Sequence, residues 1–173
     1  HAPWFRVYRY TSATTTRELF RVTETGDVYI DQGFHGYAWD YADMLPVAGS
    51  ARELEPGDVL VISKSQDFAV ELSRNSFDTS VIGIYSTKPG FLGGSGLSTQ
   101  IVNGVPVAMA GVVPCKVSAE NGPIQRGDLL TTSSTPGYAM RAGENPAPGT
   151  VMGKAMGELK EGTGTINVLV TLQ

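Results

Sequence analysis

The sequence has little cysteine and little histidine. One cysteine, Cys115, and two histidines occur among its 173 residues. A single cysteine excludes an internal disulfide and any zinc site built on several cysteines. Cys115 lies in the apolar run 112–117, where we expect a buried and inert thiol. A cysteine–histidine nucleophile pair would need His1 or His35 beside Cys115, and nothing in the sequence brings them together.

Basic clusters and long apolar runs are also missing. The net charge is −4 and the thirteen lysines and arginines are scattered, so no basic face would recruit nucleic acid by releasing counterions. No apolar run approaches the roughly eighteen residues that a membrane-spanning helix needs. We therefore expect no nucleic-acid partner and no membrane span. The sequence begins at His1 without a signal-like segment, as expected of a mature form or of a domain cut from a larger protein.

Helix-period patterns are scarce, whereas glycine and proline are abundant. The chain contains 21 glycines and 10 prolines, without the regular glycine period of collagen. This composition is typical of many short strands joined by tight turns. It predicts an all-β fold.

A stretch that occurs twice supports this prediction. The segment 57–63, GDVLVIS, returns as 127–133, GDLLTTS, and the segment 80–84, SVIGI, returns as 150–154, TVMGK. Both elements recur after seventy residues, so they repeat in register. Such a duplication indicates two copies of one β element that together bury a face neither could bury alone. We predict two duplicated β lobes, clip-like or barrel-like, at 37–100 and 101–173.

The N-terminal residues predict a β-arm at 1–36. Residues 5–10, 18–22 and 27–30 have strand-like patterns, and the last two flank a turn at Thr25-Gly26. A unit of so few strands is only marginally stable alone. We therefore expect the arm to pack on the rest of the domain or on neighbouring subunits.

Residues 33–46 combine dense aromatic side chains with two carboxylates. Such a patch is typical of a junction between elements or between subunits. Its side chains, with others near the N-terminus, would stack on sugar rings or anchor a subunit interface, where tryptophan and tyrosine are enriched. We favour the interface. The candidate interface residues are Trp4, Tyr8, Phe34, Tyr37, Trp39, Tyr41 and Met44.

Asp40 and Asp43 are candidate catalytic residues. They are three positions apart in an aromatic segment, and a close carboxylate pair there would share a proton and act as acid and base toward a peptide bond. The structural alternative is that one carboxylate caps a turn while the other is solvated or paired with an arginine.

His1 and His35 are candidate copper ligands. A free N-terminal histidine offers an amine and a ring nitrogen, a second histidine completes the set, and nitrogen ligands suit Cu(II) in a tetragonal site. The alternative is that His1 is a tag remnant or a processed end. Without this site we expect no cofactor.

Each repeat contains a Gly-Asp pair at the start of a strand, Gly57-Asp58 and Gly127-Asp128. A carboxylate at such a position accepts backbone N–H bonds and fixes the turn. Calcium would need six to eight oxygens, and no local ladder of acidic residues supplies them. We predict structural turns at both pairs.

Several segments together resemble the C-terminal domain of large bacterial and phage fibre-like or surface proteins. They are DYADMLP at 40–46, PGDVL at 56–60, GIYSTKPG at 83–90, VSAENGPI at 117–124 and GDLLTTSSTPG at 127–137. The match covers most of the chain from about residue 17 onward. The repeated Gly-Asp units also resemble small β-rich decoration proteins of phage capsids.

A more distant similarity is to the self-processing C-terminal domains of phage neck-appendage and tail-spike proteins. Those domains assist trimer assembly and can cut themselves free, and they carry the signature Asp-Tyr-Ala-Glu. The fourth residue here is Asp43, which is one methylene shorter.

The resemblance implies a structural function at the virion or cell surface. We predict a domain that caps or oligomerises a larger extracellular fibre, sheath or surface protein. Its expected partners are sister copies, with a trimer favoured, the remainder of a parent protein, and a surface glycan. Two alternatives are a self-cleaving domain that acts through Asp40 and Asp43, and a carbohydrate-binding or copper protein that uses His1 and His35.

Overall fold

The computed structural model describes residues 3–10, 16–31, 38–94 and 103–171. Within these ranges the regular structure is strand, apart from one 3-10 turn at Ala51–Glu53. The predicted all-β fold is therefore confirmed. Among the same residues, no helix is long and apolar enough to cross a membrane.

Contacts divide the chain into two units, His1–Gly36 and Tyr37–Gln173. The first, here called the arm, contains three antiparallel strands in the order β1-β2-β3. A tight turn joins the last two, in which Gly26 has a φ of +88° and the Thr23 N–H donates to the Asp27 carbonyl at 2.9 Å. The strands are β1 (Pro3–Tyr10), β2 (Thr16–Thr23) and β3 (Val28–Ile30).

The second unit contains the remaining strands of the described residues, which form one ten-stranded sheet. The strands of its first half are β4 (Asp40–Pro46), β5 (Val59–Ile62), β6 (Val70–Leu72), β7 (Val81–Tyr85) and β8 (Phe91–Gly93). The strands that follow are β9 (Gly104–Ser118), β10 (Leu129–Thr132), β11 (Ala139–Arg141), β12 (Gly153–Ala155) and β13 (Thr163–Thr171).

The two sequence repeats have the same backbone pairing. In the first copy Leu60 of β5 pairs with Leu72 of β6 and Gly83 of β7. In the second copy Leu130 of β10 pairs with Arg141 of β11 and Gly153 of β12. The duplicated sequence therefore folds twice into the same three-stranded unit.

Strand β9 belongs to both copies. Residues before its bend pair with β7 and β4, and residues after it pair with β13 and, at Val117, with β11. The bend lies at Gly111, whose φ is +101°. The bend in this proline-containing strand thus lies at a glycine, and the predicted lobe boundary at 100 and 101 stays a prediction.

Each copy closes on itself through a parallel bridge. In the second copy the order β9-β13-β12-β10-β11 returns to β9 where Ala139 pairs with Val117. In the first copy the order β4-β9-β7-β5-β6 returns to the end of β4 where Val70 bridges Val47. The described residues thus form two small barrels that share one strand.

The main core spans both barrels. Its fully buried members include Val59 and Ile84 from the first copy, Leu130 and Met152 from the second, and Val113 from the shared strand. A second buried cluster, which includes Leu60, Val70 and Val107, belongs to the first barrel alone, so the first copy has a small core of its own beside the shared one.

The two copies are also joined by backbone hydrogen bonds around Gly137, in the turn between β10 and β11. The Gly137 carbonyl accepts from the Val59 N–H at 2.8 Å, and its N–H donates to the Ser73 carbonyl at 2.9 Å. Gly137 has a φ of +79°, and a Cβ there would lie 2.7 Å from Asp58 Oδ1 and 2.9 Å from Leu72 Cδ1. A glycine is therefore needed where the second copy docks onto the first.

Candidate functional site

The sheet of the arm has an apolar stretch on one face, which ends where Arg9 pairs with Arg17. Phe5 pairs with Val22 and Val7 with Phe20 across β1 and β2, and the same β2 residues pair with β3. Residues that pair directly across strands point to the same side of a sheet. The resulting apolar face of the arm comprises Phe5, Val7, Phe20, Val22, Val28 and Ile30.

This apolar face is open to solvent. Phe5 and Val28 are each 56% exposed, and Ile30 is 41% exposed. Phe5 and Phe20 contact each other edge to face, with ring centroids 6.0 Å apart. Contiguous apolar surface of this kind marks an interaction site, because covering it gains roughly 25 cal/mol per Å².

The opposite face of the arm is polar and internally connected. Arg6 Nε lies 3.2 Å from a Glu18 carboxylate oxygen, and Arg21 lies 3.4 Å from the other. The Arg21 guanidinium also covers the Tyr29 ring at 3.9 Å, and Arg6 donates to the Tyr8 hydroxyl at 2.8 Å. Tyr8, a predicted interface residue, thus lies on the polar face, which is suited to face water.

In the second unit, the predicted interface residues Trp39 and Tyr41 are exposed. Trp39, which precedes β4, is 81% exposed. The Tyr41 ring stacks on Phe91 of β8, with centroids 5.1 Å apart and planes 9° from parallel. Met44 is partly buried and lines an apolar cavity of about 470 Å³ together with Ile62. These exposed aromatic rings form a second apolar surface, and their part in an interface stays a prediction.

Some of the predicted residues fall outside the described part of the chain. These are the side chain of Trp4 and residues Phe34, Tyr37, His1 and His35. No group of three or more metal-binding side chains occurs among the residues that the structure does describe. The copper site stays a prediction.

Asp40 and Asp43 line different cavities. Asp40 is 6% exposed and lies in a cavity of about 460 Å³ beside Trp39 and Lys88, whereas Asp43 lines the cavity that contains Met44. Residues three apart in a strand point to opposite faces. One Asp40 oxygen accepts weakly from the Gly90 N–H at 3.3 Å, and the other has no partner within the described residues. Their catalytic role stays a prediction.

The two Gly-Asp pairs have matching turn geometry. Gly57 and Gly127 both have a φ of +93°. The Asp58 carboxylate accepts from the Glu55 N–H at 2.7 Å, and the Asp128 carboxylate accepts from the Gln125 N–H at 2.8 Å. In each copy the aspartate thus accepts from the backbone N–H three residues before it, and its function in fixing the turn stays a prediction.

Lys116 of β9 adds an ion pair at the first of these turns. Its Nζ lies 2.6 Å from Glu55 and 2.8 Å from Asp58. Burial alone would lower the pKa of Lys116, but the hydrogen bonds to these two carboxylates outweigh it and raise the pKa. The Lys116 ammonium therefore stays charged and fastens the first turn to the shared strand.

Sequence reasoning did not find Phe68. This residue is 73% exposed and has a φ of +55°, a conformation that costs a bulky side chain energy. It lines the apolar cavity with Ile62, which is 51% exposed. The available signal was the repeat itself, since the second copy has Gly137 at the equivalent turn position.

Comparison with solved structures finds a likeness to a crystal structure of the pre-mature bacteriophage phi29 gene product 12. The TM-score is 0.65 at 14% identity, over 89% of this chain and 24% of that one. The chain shares its fold with part of a bacteriophage protein. It spans about a quarter of that protein's length, in keeping with the resemblance to phage fibre-like domains at the level of fold. No family model matches the sequence, and no curated protein matches it.

Proposed function

We propose that this chain is an assembly domain of a larger extracellular or virion-surface protein, and that it caps or oligomerises that protein by joining copies of itself. The apolar face of the arm is the contact surface, and a trimer is the favoured assembly. The shared fold with part of a phage protein supports this proposal.

The observation that carries the proposal is the asymmetry of the arm sheet. One face holds six apolar residues and the other holds the Arg6–Glu18–Arg21 network. A small sheet with an uncovered apolar face is marginally stable in water. Packing that face against the same face of neighbouring copies stabilises the arm and joins the subunits in one step.

A matched pair of substitutions on β3 tests the proposal. Val28 belongs to the apolar face and is 56% exposed, whereas Tyr29 belongs to the polar face and is 49% exposed. We expect Val28→Asp to weaken self-association of the full chain at least thirtyfold, because about 2 kcal/mol of apolar burial is lost and a charge enters the contact. Light scattering after size exclusion, over a range of micromolar concentrations, measures the change.

Tyr29→Asp is the control, since it adds the same charge on the same strand and leaves Arg21 with an ionic partner. It should leave the oligomer mass unchanged. A monomeric parent chain, or equal effects of the two substitutions, would contradict the arm as the contact surface.

Carbohydrate binding is a second candidate function, favoured by the exposed rings of Trp39, Tyr41 and Phe91. Parallel, solvent-facing rings are suited to stack on the apolar faces of sugars. A glycan screen should then show binding that Trp39→Ala reduces at least tenfold. Equal glycan binding by both chains, or none by the parent, would eliminate this function.

A further inference from the structure

The docking of the second copy onto the first requires two complementary parts. One part is a cleft on the first copy, formed by the Val59 N–H and the Ser73 carbonyl beside Asp58. The other is the turn of the second copy, whose Gly137 bridges the two groups of the cleft. Both cleft residues are completely buried under this turn.

Because the fold is duplicated, each copy has a version of both parts. In the second copy the cleft is formed by the Leu129 N–H and the Ala142 carbonyl beside Asp128. The Ala142 N–H donates to the Leu129 carbonyl at 2.8 Å, as the Ser73 N–H does to the Val59 carbonyl at 3.0 Å. The N–H and carbonyl of one residue in an antiparallel strand point the same way. The Leu129 N–H therefore points into the cleft.

The cleft of the second copy is partly open on its Leu129 side, although Ala142 itself is only 7% exposed. Leu129 and Asp128 are partly exposed, whereas their equivalents in the first copy, Val59 and Asp58, are 0% and 4% exposed. Among the described residues, no turn, loop or strand-end hydrogen bond involves the Leu129 N–H or the Ala142 carbonyl. The second copy thus has a cleft like that of the first, but no turn from the described part of the chain fills it.

The turn of the first copy is the matching free half. Val70 begins β6 and Ala139 begins β11, and the two residues pair with equivalent positions of β5 and β10. Phe68 and Gly137 each lie two residues before them, so Phe68 occupies the position of Gly137 in its own turn. Both residues have a positive φ, yet Phe68 is 73% exposed while Gly137 is buried. No backbone hydrogen bond of the described turns and loops uses the Phe68 N–H or carbonyl.

We propose that the Phe68 turn of one molecule docks into the Leu129–Ala142 cleft of a second copy of this chain, and so repeats between molecules the contact that already joins the two copies within one. The contact is head to tail, because the two molecules contribute different surfaces. Contacts of this type close into rings or extend as filaments. The proposal goes beyond the arm contact and does not rest on it.

The second cleft has more room for a side chain than the first, because among the described residues no ion pair holds Asp128, the equivalent of Asp58, and a flexible side chain replaces Leu72. In the first cleft a Cβ would meet Leu72 Cδ1 at 2.9 Å and Asp58 Oδ1 at 2.7 Å, and Lys116 fixes that carboxylate. In the second cleft the residue equivalent to Leu72 is Arg141, which is exposed. Its long side chain can move aside and place the guanidinium over the Phe68 ring. Docking would cover the Phe68 ring, and this burial would offset the cost of holding a phenylalanine at a positive φ.

Cross-linking between two single-cysteine variants tests the proposal. The docked position of residue 68 lies beside residue 141, as that of Gly137 lies beside Leu72. We expect a mixture of Phe68→Cys and Arg141→Cys chains to give a disulfide-linked dimer under mild oxidation, at least tenfold more than either chain alone. The native thiol does not compete, because burial, with a smaller contribution from Asp58, strongly raises the pKa of Cys115.

Met156→Cys is the matched control partner for Phe68→Cys, since Met156 is 51% exposed and lies on the second copy outside the cleft. This mixture should give no more dimer than the single variants. Absence of the dimer from the first mixture, or equal dimer from Phe68→Cys alone, would overturn the head-to-tail contact. The same cross-linking test in chains that also carry Val28→Asp distinguishes the head-to-tail contact from the arm contact. The cross-link should still form in these chains, although their arms no longer associate.

Discussion

Glycine at positions 83 and 153 has a packing function that the sequence repeat already indicated. A Cβ at Gly83 would overlap the Ala108 carbonyl oxygen, and a Cβ at Gly153 would overlap the Leu169 carbonyl oxygen. Each contact is with backbone, which cannot rotate away. The recurring glycine in the two strands is therefore explained by the close approach of a neighbouring strand.

Gly153→Ala should destabilise the fold by about 2 kcal/mol or more, because the overlap forces strands apart. Denaturant unfolding of the full chain measures this loss. Gly164→Ala is the control, since its Cβ would meet only the end of the Leu159 side chain, Cδ1 at 3.1 Å, which can rotate as backbone cannot, and it should cost less than half as much. Equal losses for the two alanines would refute the close-approach explanation.

Glu120 gives the second barrel a pH-dependent contribution to stability. Partial burial would raise the pKa of Glu120, but hydrogen bonds outweigh it and lower the pKa below its ordinary value of 4.5. The donors are the Ser134 N–H at 2.7 Å and the Thr135 hydroxyl at 2.9 Å. Since the pKa is lower in the folded state, this stabilisation is complete above pH 4.5 and is lost as the pH falls below that value.

Glu120→Gln should therefore lower the free energy of unfolding at neutral pH and leave it unchanged in acid. We expect it to cost about 1 kcal/mol at pH 7, allowing for solvent screening of this exposed group. The difference from the parent chain should approach zero near pH 3, about a unit or more below the ordinary carboxyl pKa. Urea unfolding of both chains at the two pH values measures it, and an unchanged difference would contradict the assigned hydrogen bonds.

At the scale of elements, the sequence predicted the all-β class and the duplicated unit, because Gly-Asp turns and strand patterns are local signals. It did not predict that β9 serves both copies. The strand pairs of β4 with β9 and of β9 with β13 are equivalent, yet residues 40–47 and 110–117 share little beyond a final valine. The pairing of β9 with β4 and with β13 is set by closure of the barrels, so residues 40–47 and 110–117 need not resemble each other in sequence.

Only part of the candidate site was predictable from the sequence, because local patterns indicate strands but not how those strands pair. The alternation of apolar and polar residues at 5–7, 20–22 and 28–30 is a local signal, but which strands pair, and in what register, decides that the six apolar residues meet on one face, and no local pattern encodes that pairing. Phe68 was missed because what distinguishes it is its positive φ, which the sequence of the turn does not reveal. Only its equivalence to Gly137 makes an exposed phenylalanine informative.

At the scale of the whole molecule, the shared core and the shared strand couple the two barrels. The main apolar cluster takes members from both copies, and Gly137 joins them by two further hydrogen bonds. Elements that share buried contacts in this way open together. We therefore expect one cooperative transition for residues 38–171.

Hydrogen exchange tests this coupling with the substitution already described. Gly153→Ala lies in the second barrel, yet it should accelerate exchange of the buried β5 amides in the first barrel as much as those of β10. Exchange measured by mass spectrometry under native conditions distinguishes the outcomes. Acceleration confined to β10 and β12 would mean that the barrels open independently.

The kinked β9 also limits how this protein can have changed over time. Had the ancestral duplication simply placed two finished barrels in a row, either could later be lost, exchanged or inherited alone. Here the last strand of one barrel continues without a linker into the first strand of the next, and the two barrels bury a common apolar cluster, so a cut at the bend would expose that cluster in both halves. The pair is consequently expected to be lost or acquired together, as one heritable piece.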